Sequence, residues 1–518
     1  MSRTRAAMPR IIAFAVVALT GLSISTATAA TFDVTRADDP AANGCIAADC
    51  SLREAIEAAA VTGEADLIRL AAGQYRVTQG ELVVEGSVEI AGLGSESTSL
   101  VGIGEFTLLR VSTFSDLILT DMELSAVEGI SVGVDDRAAA TLRFVNVTDG
   151  LVGTIANVPT SGSADVRIEH SQITALVGFA LSHGALRITD SSIYSVIVYG
   201  NIDLDLQRVV VDGDLGVTVY GLGPISISDS TIRNSSSPIN LGQPAGDAAD
   251  VHVRRTRFID NHGPLLSSRA AGIYLDDVEF RDNSVDAEHM DEPSVLRAAA
   301  GSAWRINRAL FAGNRGGGGL DGATIRALSG GNVVITNSTF VDNTFHDDVA
   351  SGYSDTIGVY TNQNLPTLLW LVHVTMRRAA SIPEDAPASL LTVRGPFAQV
   401  SVFNSVLHGT CGFGGGGALD MAFGNIESAG DTCGMDEATN RVDMNPILLE
   451  LGQLADHGGF TETFMPNRAS ALLNSANPGI CLPVDQRGYL RPQDQTECDV
   501  GATEAGGFDD LIFANDFE

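Results

Sequence analysis

Lysine is missing from the 518 residues, and all 31 basic side chains are arginine. That absence excludes Schiff-base chemistry and a lysine general base. It also excludes a phosphate loop at residues 316–319 or 414–417, since no lysine follows either glycine run. Basic charge as a whole is scarce. Against 64 acids the net charge is −33, and with no basic footprint a nucleic-acid partner is not expected. CxxC, HExxH, GxSxG and nucleotide fingerprints are absent, as are heptads. Beyond the first thirty residues no stretch approaches the ~20 apolar residues that a membrane helix needs.

What is present begins with an export signal. Arg3, Arg5 and Arg10 precede an apolar run over 11–22, and Ala27-Thr28-Ala29 supplies a small-residue cleavage pattern. Residues 1–29 are therefore read as a signal peptide, and the rest as a chain secreted or held on the extracellular face of a bacterial envelope. The even set of six cysteines favours disulfides in such a chain. Proximity suggests Cys45 with Cys50, Cys411 with Cys433, and Cys481 with Cys498. Zinc is the rival reading, without a nearby His/Cys set to support it.

An eight-residue template then recurs a dozen times. LILTDMEL starts at Leu117, VRIEHSQI at Val166, LRITDSSI at Leu186, LDLQRVVV at Leu204 and ISISDSTI at Ile225. VHVRRTRF starts at Val251, IYLDDVEF at Ile273, WRINRALF at Trp304 and VVITNSTF at Val333. LWLVHVTM at Leu369 and VSVFNSVL at Val400 continue the series, and LRFVNVTD from Leu142 fits loosely. Apolar residues stand at i, i+2 and i+7, usually with Ser, Thr or Val at i+5. The pattern reads as a strand, a bend and a second strand facing one interior. A spacing near 25 residues suits one coil of a parallel β-helix, about 14 coils in all, and falls short of a propeller blade. In four copies a phenylalanine is followed three places later by asparagine, at Asn261, Asn283, Asn314 and Asn343. The rings are expected to stack, and the asparagines to take the left-handed bend and bond the neighbouring coil.

Both ends of such a stack need covering. Ser51 and Glu54 form a capping box, and Leu52, Ala55, Ile56 and Ala59 make one apolar stripe. A short helix lying over the first coil is predicted, pinned by Cys45 and Cys50.

The stretch CSLREAI at 50–56 resembles the signature of CSLREA-type bacterial surface proteins. That resemblance implies a right-handed parallel β-helix of the pectin-lyase-like class. Asn404-Ser405, Cys411, Cys433, Asn445-Pro446, Cys481, Asp485-Gln486-Arg487-Gly488, Arg491-Pro492 and Cys498-Asp499-Val500-Gly501-Ala502 resemble the choice-of-anchor Q domain. The FxxN copies are also similar to repeats of polymorphic outer-membrane proteins, with a weak echo of their second motif at residues 321–325. The expected organisation is a signal over 1–29, an N-terminal cap over 30–65 and a β-helix over 66–410. A disulfide-containing C-terminal region over 411–505 closes it, and an acidic tail over 506–518 is a candidate sorting tag.

The resemblance implies secretion or display without an assigned reaction. The expected function is a surface scaffold that contacts glycans, other cells or surfaces. A polysaccharide lyase or hydrolase is the alternative, and a passive matrix component a third. For an enzyme, Arg255, Asp276 and Asp277 are the catalytic candidates, and Asp260 and Asp282 the candidates for calcium. No cofactor is required by the scaffold reading. The register offers another account of the charges: Arg255, Asp277 and Arg308 share i+4, and Arg257 and Glu279 share i+6, as an ion-pair ladder would. Longer connections at 282–303, 312–332, 341–368 and 377–399 mark the expected binding flank. The acid pairs at 347–348 and 509–510 read as solvated loops.

Overall fold

The computed structural model describes residues 28–154, 163–242, 249–267, 272–285, 292–299, 301–317, 324–345, 354–361, 365–382, 389–428, 430–492 and 498–505. Residues 1–27, most of the expected signal, the acidic tail, residues 321–323 and 347–348, and parts of the four long connections lie outside them.

Each template copy folds as its alternation dictates. In the strand Val251–Ile259, Val251, Val253, Thr256 and Phe258 are buried while His252, Arg254 and Arg257 are exposed. The next copy lies parallel and in register: Val251 faces Ile273, Val253 faces Leu275 and Phe258 faces Phe280. Positions i to i+3 of all copies build one sheet, A, and positions i+6 to i+8 a second, B. A third, sheet C, is made by strands such as Leu265–Ser267, Leu296–Ala298 and Ile325–Ala327, again parallel. The chain is a parallel β-helix. Inside it Phe258, Phe280, Phe311 and Phe340 stack at centroid distances of 4.8, 4.9 and 4.2 Å. Buried side chains run as one core from Val34 to Met435.

The corner between sheets A and B is made by position i+4. Its φ is positive in every copy, between 44° and 56°, at Asp121, Phe144, His170, Asp190, Arg208, Asp229, Arg255, Asp277, Arg308, Asn337, His373 and Asn404. A left-handed residue reverses the pleat, so that apolar side chains point inward on both sides of the bend. For residues other than glycine it costs about 1 kcal/mol each. The hydroxyl at i+5 offsets that cost. Ser171, Ser230 and Ser338 each donate to their own i+3 carbonyl and accept the i+5 amide of the preceding copy. This geometry also corrects the loose copy. Ala140 faces both Leu117 and Val166, so the repeat starts at Ala140 and Phe144 is its corner.

The asparagine ladder differs from expectation in its bend. Left-handed backbone falls on the residue before each asparagine, at Asp260, Asp282, Gly313 and Asp342. The asparagines themselves are buried and join successive coils. Asn261 Nδ2 donates to Asn283 Oδ1 at 2.9 Å, Asn283 Nδ2 to Asn314 at 2.8 Å, and Asn314 Nδ2 to Asn343 at 2.9 Å.

The helix Leu52–Ala59 carries the full capping box: Ser51 N donates to Glu54 Oε2 at 2.7 Å and Glu54 N to Ser51 Oγ at 3.3 Å. Its buried residues Leu52, Ala55, Ile56 and Ala59 join the core of the first coils. A strand before it, Thr31–Asp33, pairs with Ala65–Arg69 and is the first rung of sheet A. All three disulfides form between the paired cysteines.

The C-terminal region does three things. Cys433 and Met435 enter the interior core at its far end. Before that, Cys411–Gly414, Leu419–Phe423 and Ile426–Ser428 add one more parallel rung on Ser389–Arg394, Ala398–Phe403 and Val406–His408, so the β-helix runs past the expected boundary at residue 410. The later part folds back over the outside of sheet B. Thr339 Oγ1 donates to Gln486 Oε1 at 2.6 Å, Arg281 meets Glu462 at 2.6 Å, and Phe464 packs with Leu310, Ala312 and Val341. This flank is held by a buried ionic group in which Arg491 meets Glu504 at 2.9 Å and Arg487 meets Asp485 at 2.7 Å, with Asp499 alongside. Burial, then the neighbouring Asp499, pushes the Glu504 carboxyl up to about 7.

The folded state thus holds a proton that the unfolded chain releases near pH 4.5. Glu504's contribution is full below that pH and is lost as pH rises through 7. Melting temperature should fall between pH 5 and 8 by an amount on the order of 2 kcal/mol in stability. Glu504→Gln should flatten that part of the profile; an unchanged pH dependence in this variant contradicts the assignment.

Candidate functional site

The A–B corner sets twelve left-handed residues in one column on the outside of the rod. Most of its charges are paired off between rungs. Arg208 grips Asp190 at 2.5 and 2.7 Å, Arg255 grips Asp229 at 2.5 and 2.7 Å, and Arg308 grips Asp277 at 2.6 and 2.8 Å. The catalytic candidates therefore do not converge. Arg255 points to Asp229 and not to Asp277; the bond to Asp229 raises its pKa, opposite to what a general base needs. Asp277 is taken by Arg308, while Asp276 accepts from Asn307 Nδ2 at 2.9 Å. Arg257 does meet Glu279, at 3.0 Å. A double-mutant cycle on Arg255 and Asp229 should give a coupling of ~0.5 kcal/mol, and one on Arg255 and Asp277 close to none. Coupling through Asp277 instead would contradict the geometry.

Asp260 and Asp282 stand on successive rungs at the B–C corner. No third acid joins them in a ligand group among the described residues. Among the described residues the one His/Cys/acid group whose donor atoms converge is His373 with Cys481 and Cys498. Both sulfurs are in a disulfide, and buried His373 faces Gly501 O and Asn404.

The uncharged corner residues Asn337, His373 and Asn404 are buried, whereas Phe144 and His170, toward the N-terminal end of the column, are open to solvent. The Phe144 ring is 48% exposed and lies parallel to the His170 imidazole, 5.0 Å between centroids and 10° between planes. Beside them lies an open, shallow groove of about 630 Å³, lined by Asn146, Gln172 and Ser192 from sheet B and by Asp190 and Arg208. Asn146 is oriented by a bond from its Nδ2 to Ser95 Oγ at 3.1 Å. Asp190 is held ionised below its ordinary range by Arg208. A flat apolar ring beside amide, hydroxyl and carboxylate groups can stack the C–H face of a sugar while its hydroxyls are hydrogen-bonded. The C-terminal flank crosses sheet B along residues 257–406, past these rungs.

Sequence reasoning looked for a site beside the long late connections and missed this groove. Read from Leu142, the copy puts Phe144 at i+2; only the register from Ala140 sets it at i+4, where the other copies place Asp, Arg, Asn or His.

Neither a protein-family model nor a curated protein matches the chain. Among solved structures it is similar to the catalytic unit of a thermostable α-1,3-glucanase from Streptomyces thermodiastaticus. The identity is 15%, covering 74% of this chain and 68% of that one, with a TM-score of 0.36. An alginate lyase in complex with a trisaccharide shares 11% identity over 85% of this chain and 92% of its own, TM-score 0.32. The A-module of a mannuronan C-5 epimerase from Azotobacter vinelandii shares 13% over 74% and 96%, TM-score 0.30.

Proposed function

We propose that this protein is an exported, non-catalytic β-helix scaffold that binds polysaccharide through the groove at Phe144 and His170. One observation carries the reading. At a left-handed corner that the other copies give to Asp, Arg, Asn or His stands a bulky aromatic with its ring in solvent, beside polar groups. The three disulfides fit an oxidising compartment. Among the described residues no helix is long and apolar enough to cross a membrane. In this reading the helix Leu52–Ala59 is the lid of the first coil. Residues 411–505 close the last coil and brace the flank, and 506–518 serve as the sorting tag.

The test is retention of the purified mature protein in gels carrying different polysaccharides, with reducing ends and unsaturated-uronate absorbance followed in parallel, with calcium and with chelator. Retention without product is expected. New reducing ends or absorbance would replace the scaffold reading with a hydrolase or lyase, and no retention by any polymer would overturn glycan binding.

A further inference from the structure

Phe144 has a counterpart. Among the described residues two phenylalanines have positive φ, Phe114 at 64° and Phe144 at 54°. Both rings are open to solvent, 69% and 48% exposed. Each is covered on one face by a nitrogen-bearing side chain from the following rung, itself on left-handed backbone. The Arg137 guanidinium lies 5.1 Å from the Phe114 centroid, as His170 lies over Phe144. Phe114 stands at the opposite edge of sheet A, beside a cleft of about 390 Å³ lined by Asp116, Arg137, Ser163 and Asp165. The two places are joined by one strand. Ser163–Glu169 starts in the Phe114 cleft and runs directly into His170 of the Phe144 groove. Its outward Arg167 is exposed midway between them. Seven residues at the strand rise span about 20 Å.

Repeat architecture does not explain the pairing. The ring stacks in the interior are buried and recur at one register position. These two rings are exposed and stand at different corners, each on a backbone conformation that costs free energy.

We propose that Phe114 and Phe144 are the end contacts of a single path across sheet A, so that the ligand is a linear glycan several sugars long, lying across the rod. The proposal rests on the glycan-binding reading and adds the second contact and the minimum length. Two contacts on one chain raise affinity through effective concentration only when the ligand reaches both.

The experiment takes a size-fractionated oligosaccharide ladder from a polysaccharide that retains the wild type. Affinity is measured against length for wild type, Phe114→Gly, Phe144→Gly and the double variant. Glycine suits both backbone positions, and melting temperatures report that each variant folds. The wild type should gain at least tenfold in affinity once the oligomer exceeds the span. Each single variant should lose that gain, and the double variant should lose binding. A gain that survives Phe114→Gly overturns the two-point path and leaves the Phe144 groove standing. A wild type that binds no oligomer of any length overturns both.

Discussion

Replacing Phe144 with glycine should weaken polysaccharide retention, with at least a tenfold loss of affinity, while thermal unfolding stays where it was. The two effects separate because of the backbone. At φ 54° a phenylalanine pays about 1 kcal/mol that glycine does not. The stack on His170 returns ~0.5–1.5 kcal/mol, and glycine forfeits it. The two terms nearly cancel, so a change in binding cannot be ascribed to unfolding. Phe144→Ala keeps the backbone strain and loses the stack. It should melt lower than the glycine variant while binding equally poorly. Full retention by both variants would remove the ring from any account of function.

The largest stability effect is expected at Asn314. Its Oδ1 accepts from Asn283 N at 3.1 Å and Asn283 Nδ2 at 2.8 Å, and its Nδ2 donates to Phe280 O and Asn343 Oδ1. The side chain is fully buried. Asn314→Ala takes these partners from two donors and two carbonyl oxygens in a dry interior, of which Asn343 Oδ1 keeps a bond from the residue 314 amide, at ~1–3 kcal/mol for each group left unsatisfied. A loss of about 3 kcal/mol or more is expected. Coils contact chiefly their neighbours, so the damage should be local. Amide exchange should accelerate around residues 280–345, and hardly at residues 65–150. Uniform acceleration along the whole chain would show that the rod unfolds as one unit.

The β-helix was legible because its interior repeats. Apolar residues at i, i+2 and i+7 state which side chains point inward, and the register pairs Phe258 with Phe280 as that pattern requires. The corner was harder to read. Arg255 and Phe144 are poor left-handed residues, and only the register position, with its copy started at Ala140 for Phe144, gives the bend away. The asparagines were read as the bend because asparagine tolerates it. In fact Asp260 and Asp282 take the strain, which frees Asn261 and Asn283 to bond neighbouring coils. The fold-back of the C-terminal region left no local trace. Its contacts, such as Thr339 with Gln486, join residues 147 apart in sequence. The strand Thr31–Asp33 is too short for a period to show. As for the site, spacing revealed Arg255 and Asp277 on one column, but not that each would turn to a different partner.

The central claim is that glycan is bound at the corner groove of the N-terminal half, and amide exchange with and without a saturating polysaccharide tests it most directly. Protection is expected at residues 144–148, 170–174, 190–193 and 208–211, the rungs that line the groove, with the late rungs over 296–403 unchanged. Protection confined to those late rungs would contradict the account and move the site to the flank of the long connections.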